Sequence, residues 1–176
     1  NAHMLSIRDF RIYQKQDDGE EKLIGCAKTV WAVLDLNSRE IVNVFDLPMF
    51  ENSVDGEVLT MARAPKMQAL HLGNLENGAV ILKADEILHE IQYSDVDYNR
   101  HCNSCKYLEW MVNASQFTDN TRPFRLDINY VKELYENDVM YTRFVKTSES
   151  TQYQQVDENG TTCCSAKISL IEKLSC

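Results

Sequence analysis

Between residues 94 and 101 the chain runs Ser-Asp-Val-Asp-Tyr-Asn-Arg-His, its densest polar cluster, and three kinds of chemistry fit it. Calcium binding is the first. Asp95, Asp97 and Asn99 have the spacing of the opening ligands of an EF-hand loop. Arg100, however, stands where the sharp turn needs glycine, and Lys106 where the loop needs a bidentate glutamate. The second use is structural, because Asp and Asn side chains accept hydrogen bonds from nearby backbone amides in turns and helix caps. The third is acid–base catalysis. Asp97, Asn99 and His101 alternate, so an extended segment would present all three to one side. Histidine exchanges protons near neutral pH, and asparagine can donate to a developing oxyanion. A helix beginning just beyond would add backbone amides and a positive dipole end.

These residues need elements to hold them. Residues 86–93 (EILHEIQY) read as a strand, and residues 103–115 as a helix with Cys105, Leu108, Met111, Val112 and Ser115 on one face. Asn103 is suited to cap that helix. Thr118 to Pro123 break it. Extended runs follow at 125–134, 138–148, 151–157 and 161–173, with Glu158-Asn159-Gly160 as a hairpin turn. A strand, one long helix and an antiparallel meander make the hot-dog arrangement, a sheet wrapped around a helix.

The first half of the chain shows strands only. Residues 5–13 and 22–35 read as strands joined by a polar turn, and Ile41 to Phe45 as a short third strand. The stretch 46–85 is punctuated by Pro48, Gly56, Pro65, Gly73 and Gly78, with a short helix expected near 47–52. The expected division is therefore a partial unit at 4–45, a connecting region at 46–85 and a complete unit at 86–176. The fold class is α+β: a hot-dog fold in tandem, its first unit incomplete.

Composition bounds the partners. Of the 176 residues, 18 are basic and 27 acidic, a net charge of −9. No basic tail or basic half exists, which argues against nucleic acid. No apolar run approaches the length of a membrane span. The six cysteines lack the spacing of a disulfide framework, and reduced thiols in a cytoplasm are expected. Cys102 and Cys105 form a lone C-x-x-C with no second ligand pair, so no metal and no cofactor are expected. Cys105 reads as core by its helix face, and His89 as a structural histidine on a strand.

The segment from Tyr93 to Trp110 resembles the signature D-x-D-x-N-x-H-x-N-x-x-K-Y-x-x-W of the plant and bacterial acyl-acyl-carrier-protein thioesterases. It does so through Asp95, Asp97, Asn99, His101, Asn103, Lys106, Tyr107 and Trp110. Weaker similarity covers Arg8-Asp9-Phe10, Thr29-Val30-Trp31 and Asn129 to Leu134. The resemblance implies a tandem hot-dog hydrolase that releases a fatty acid from the phosphopantetheine arm of acyl carrier protein. It implies Asp97, Asn99, His101 and Glu133 as the catalytic set. Asn99 and His101 would orient the thioester, while Asp97 and Glu133 would position them or activate water. Leu134 replaces the cysteine of plant members, so water activated by Glu133 or His101 is the expected nucleophile. Arg100, Lys106 and Lys132 are candidates for holding the carrier protein, and a homodimer is plausible for this fold. The family's opening strand and helix precede the point where this sequence starts, so a fragment, or a face covered by another chain, is expected. An acyl-coenzyme A thioesterase and a non-catalytic acyl-binding module are the competing readings.

Overall fold

The structure, a computed structural model, describes residues 5–48, 57–70, 87–117 and 122–174. The chain forms two compact units that part between Arg63 and Ala64.

In the first unit, β1 (Leu5–Lys15) and β2 (Glu21–Ala32) pair antiparallel, with Leu5 opposite Ala32 and Lys15 opposite Glu21. The polar residues at 16–20 close the hairpin, with Gly19 at φ 88° supplying the left-handed position. Leu59 is buried beside this ribbon. Its amide donates to Asp9 Oδ2 at 2.8 Å, and its carbonyl accepts from Lys28 Nζ at 2.8 Å. The short strand expected at Ile41–Phe45 reduces to one bridge, Leu34 to Ile41, followed by a 3-10 turn at Val44–Asp46. Asn43 causes the change: its side chain accepts from the Phe45 amide at 3.2 Å and starts the turn. That turn lies just before the short helix expected at 47–52, most of which falls outside the described residues. Residues 57–70 carry no regular element. Cys26 is disulfide-bonded, which corrects the expectation of reduced thiols throughout, whereas Cys102, Cys105, Cys163 and Cys164 are free.

Among its described residues the second unit is a five-stranded antiparallel sheet with one α-helix, a hot-dog fold. Its strands are β3 (Ile87–Glu90), β4 (Phe124–Tyr130), β5 (Val139–Lys146), β6 (Ser150–Asp157) and β7 (Thr162–Leu170), in the spatial order β3-β5-β6-β7-β4. The helix α1 (Ser104–Ser115) packs on β5 and β6. Its buried stripe is Tyr107, Met111 and Ser115, spaced four apart. Cys105 falls off that stripe and is exposed, correcting its assignment to the core. Met111, Tyr107, Tyr153, Met140, Phe144 and Ile168 belong to the apolar core between helix and sheet. Gln155 on β6 reaches into it and donates to the Tyr107 carbonyl at 3.0 Å and to Thr142 Oγ1 at 3.1 Å. Ser115 Oγ and Tyr153 Oη are 2.7 Å apart further along the helix. No described helix is long and apolar enough to cross a membrane.

Candidate active site

β3 ends at Glu90, earlier than expected, because the backbone turns there. A 3-10 turn at Tyr93–Asp95 follows, in which Asp95 Oδ2 accepts from the Gln92 amide at 3.0 Å. Residues 96–102 then double back as a small hairpin, with Val96 bridged to Cys102 and the Asp97 amide donating to the His101 carbonyl at 2.8 Å. The alternating segment is thus folded rather than extended. Asp97 folds it: Oδ1 accepts from the Asn99 amide at 2.8 Å and the His101 amide at 3.2 Å. Arg100 takes the left-handed position at φ 67°. The structural use of the cluster is realised, since Asp97 shapes the turn that carries His101.

Two backbone hydrogen bonds seat the hairpin. The Cys102 amide donates to the Leu134 carbonyl at 2.7 Å, and the Asn103 amide to the Asp95 carbonyl at 2.8 Å. His101 forms a β-bridge with Tyr135. This pairing brings the 131–135 segment to the site. His101 Nδ1 and Glu133 Oε1 lie 3.7 Å apart, with the side chains 26% and 45% exposed. That separation is an ion-pair distance for a protonated imidazole, longer than a formed hydrogen bond, and such contacts tighten when substrate binds. Leu134, where plant members have cysteine, is buried in the core.

Tyr135 joins the pair without a signal in the family motif. Its hydroxyl donates to Glu133 Oε2 at 3.3 Å, and its ring meets the His101 ring edge-on at 5.1 Å. The two-residue spacing from Glu133 is the only trace of this in the sequence. Asn99 is exposed at the turn, and among the described residues no hydrogen bond joins its side chain to His101 or Glu133. At the helix start, Asn103 is the expected cap: Oδ1 accepts from the Cys105 amide at 2.9 Å, and its carbonyl accepts from the Lys106 amide at 2.9 Å. Those two amides are therefore already engaged.

The neighbouring thiol is buried. Burial pushes Cys102 up to about 12, so it stays protonated near neutral pH. Of the cationic candidates, Lys106 lies 3.4 Å from Asp95 and 3.1 Å from Glu109, and Lys132 lies 2.6 Å from Asp157. These carboxylates raise both ammonium pKa values above the ordinary lysine range. Arg100 is exposed at the turn. His89 stacks on Trp110 at 4.9 Å, but its buried Nε2 has no hydrogen-bond partner among the described residues, so it is not the satisfied histidine expected, and burial lowers its pKa. A cleft of about 250 Å³ beyond the far end of α1, walled by Phe117, Lys146, Ile168 and Leu170, includes none of the candidate site residues.

The profile of the acyl-ACP thioesterase C-terminal domain matches residues 78–172, more than half of the chain. The hot-dog sheet, its single described helix and this match define the class, and the chain belongs to the acyl-ACP thioesterase family. The fold is similar to that of an acyl-ACP thioesterase from Bacteroides thetaiotaomicron, with 21% identity, a TM-score of 0.65, and coverage of 96% of this chain and 64% of that one. It is also similar to the 12:0-ACP thioesterase from Umbellularia californica, with 15% identity, a TM-score of 0.61, and coverage of 98% and 63%. The chain thus spans just under two thirds of the length of these relatives. No curated protein sequence matches it.

Proposed function

We propose that this chain hydrolyses the thioester joining a fatty acyl group to acyl carrier protein, with water as the nucleophile. The observation that carries the reading is the meeting of His101 and Glu133 at 3.7 Å on a turn shaped by Asp97. A base in this pair takes a proton from water. The water oxygen bonds to the acyl carbon, the carbon–sulfur bond breaks, and the phosphopantetheine leaves as a thiol carrying a proton. Asn99 would donate to the oxyanion, a role that needs its exposed side chain to turn toward bound substrate. The fatty acid and the free carrier protein are the products, which suits a cytoplasmic enzyme of bacterial fatty-acid synthesis.

Arg100, Lys106 and Lys132 are the candidate contacts to the acidic carrier. The engagement of both lysines by carboxylates leaves Arg100 as the best placed of the three and favours a second reading, an acyl-coenzyme A substrate, which needs less basic surface. Thiol release from matched acyl-carrier-protein and acyl-coenzyme A substrates decides between them by kcat/KM. His101→Ala and Glu133→Gln are each expected to cut turnover roughly 10²-fold or more. Near-normal turnover in both variants overturns the site. Acyl-ligand binding without thiol release would make the chain an acyl-binding module instead. Sedimentation tests the homodimer that hot-dog sheets commonly form.

A further inference from the structure

Glu133 is almost half exposed, and a carboxylate on so open a surface samples many rotamers unless something holds it. Tyr135 holds it. The phenol donates to Oε2 at 3.3 Å, which leaves Oε1 as the oxygen facing His101 Nδ1 at 3.7 Å. The same tyrosine fixes the imidazole from the other side. Its ring stands at 89° to the His101 ring with centroids 5.1 Å apart, and its backbone forms the bridge that seats His101. Tyr135 is itself anchored, because its amide donates to Asp138 Oδ2 at 2.9 Å. One residue therefore bears on both the rotamer of the acid and the plane of the imidazole.

We propose that Tyr135 is a positioning residue that ties Glu133 through Oε2, so that Oε1 holds His101 with Nδ1 protonated and Nε2 as the basic nitrogen. A neutral imidazole has one donor and one acceptor nitrogen, and the partner of one ring nitrogen decides the state of the other. Glu133 as a carboxylate can only accept, so even at 3.7 Å, beyond hydrogen-bond length, its charge favours the proton on the nitrogen that faces it. Free histidine prefers the opposite tautomer, with the proton on Nε2, so the arrangement leaves a readable mark. The inference rests on the thioesterase reading for its catalytic meaning: His101 Nε2, rather than Glu133, takes the proton from water, and Glu133 orients.

The test uses the full chain with 15N-labelled histidine. Long-range 1H–15N correlation spectra, recorded above the titration range of the imidazole, report which nitrogen carries the proton, and His101→Ala assigns the signal. Nδ1–H is expected in the wild-type protein, with a shift toward Nε2–H in Tyr135→Phe, which keeps the ring and removes only the hydroxyl. In the thiol-release assay Tyr135→Phe is expected to lose roughly five- to tenfold in kcat, the loss of about one hydrogen bond, with KM unchanged. A wild-type His101 protonated on Nε2 overturns the proposal, and this needs no variant to fold. So does a Tyr135→Phe protein with wild-type tautomer and kcat. If the wild-type chain releases no thiol from either substrate, the thioesterase reading fails while the tautomer still reports on Tyr135.

Discussion

Residues 97–101 and residues 157–161 are the same turn built twice. In each, the aspartate amide donates to the carbonyl four residues on, at 2.8 Å and 2.9 Å, and the residue three on donates back to the aspartate carbonyl, at 3.0 Å and 2.9 Å. In each, the aspartate Oδ1 accepts from two amides of the turn, those of Asn99 and His101 or of Asn159 and Thr161. Each puts its fourth residue in the left-handed region, Arg100 at φ 67° and Gly160 at φ 77°. They differ in what they carry. Asp157 is buried and paired with Lys132, and glycine fills the left-handed position, so that turn serves to close β6 onto β7. Asp97 is exposed, Tyr98 projects entirely into solvent, and the left-handed residue bears an arginine side chain beside His101. A side chain in that conformation costs about 1 kcal/mol or more. One backbone solution closes a buried hairpin at one place and presents exposed polar side chains at the other.

The largest test exchanges the loss between the two turns. Asp97→Ala is expected to reduce kcat/KM about 100-fold or more, because His101 loses the turn that presents it, while Tm moves by only a few degrees. Asp157→Ala is expected to leave kcat within about threefold and to lower Tm by about 5–10 °C. Thiol release and calorimetry on both variants read the contrast, and equal losses of Tm would erase it.

Acid titration sharpens it further. Lys132 holds the Asp157 carboxyl below its ordinary pKa. A carboxylate depressed in the folded state stabilises above its unfolded pKa, and that stabilisation disappears as pH falls through the folded value. Tm of the wild type is therefore expected to fall more steeply below about pH 4 than that of Asp157→Asn. A parallel decline in the two proteins would count against the pairing.

Smaller effects follow from the left-handed residues. A Cβ at Gly160 would meet nothing within 4 Å, so Gly160→Ala costs only backbone strain, about 1 kcal/mol, or about 4 °C in Tm. Arg100→Gly should raise Tm by a similar amount and raise KM for the acyl-carrier substrate if Arg100 contacts the carrier. The smallest effect lies outside both turns. Burial lowers the pKa of His89 against an opposing pull from Asp95, so His89 favours its neutral form when folded. Its contribution is complete above the unfolded value of about 6.5 and declines as pH falls below it. His89→Phe, which keeps the stacking on Trp110, should flatten the Tm profile below about pH 6.5; an unchanged slope would remove His89 from the account.

Local signals made the second unit legible. Three- and four-residue spacing marked the helix, Asn103 marked its start and Asn159-Gly160 marked the hairpin, because each acts through neighbours in sequence. The turn at 97–101 was hidden because arginine holds the position that usually announces itself as glycine. Cys105 was misplaced because the buried stripe runs through Tyr107, Met111 and Ser115, a set that spacing alone does not separate from its neighbours. Tyr135 was invisible because its role depends on a pairing across more than thirty positions, between His101 and Tyr135. Glu133 was reached only through the resemblance, for the same reason. In the first unit, Asn43 turned an expected strand into a 3-10 turn through a single side-chain bond.

The polar ties from β6 to α1 have a mechanical consequence. Gln155 fastens the helix at Tyr107, and Tyr153 fastens it two turns on at Ser115. An apolar interface alone resists separation but tolerates sliding, whereas hydrogen bonds at two heights lock both the axial position and the rotation of a cylinder. The helix is keyed to the sheet like a shaft with two pins. Its first residues continue directly from Cys102, so the middle of β6 works as the gauge that sets where His101 points.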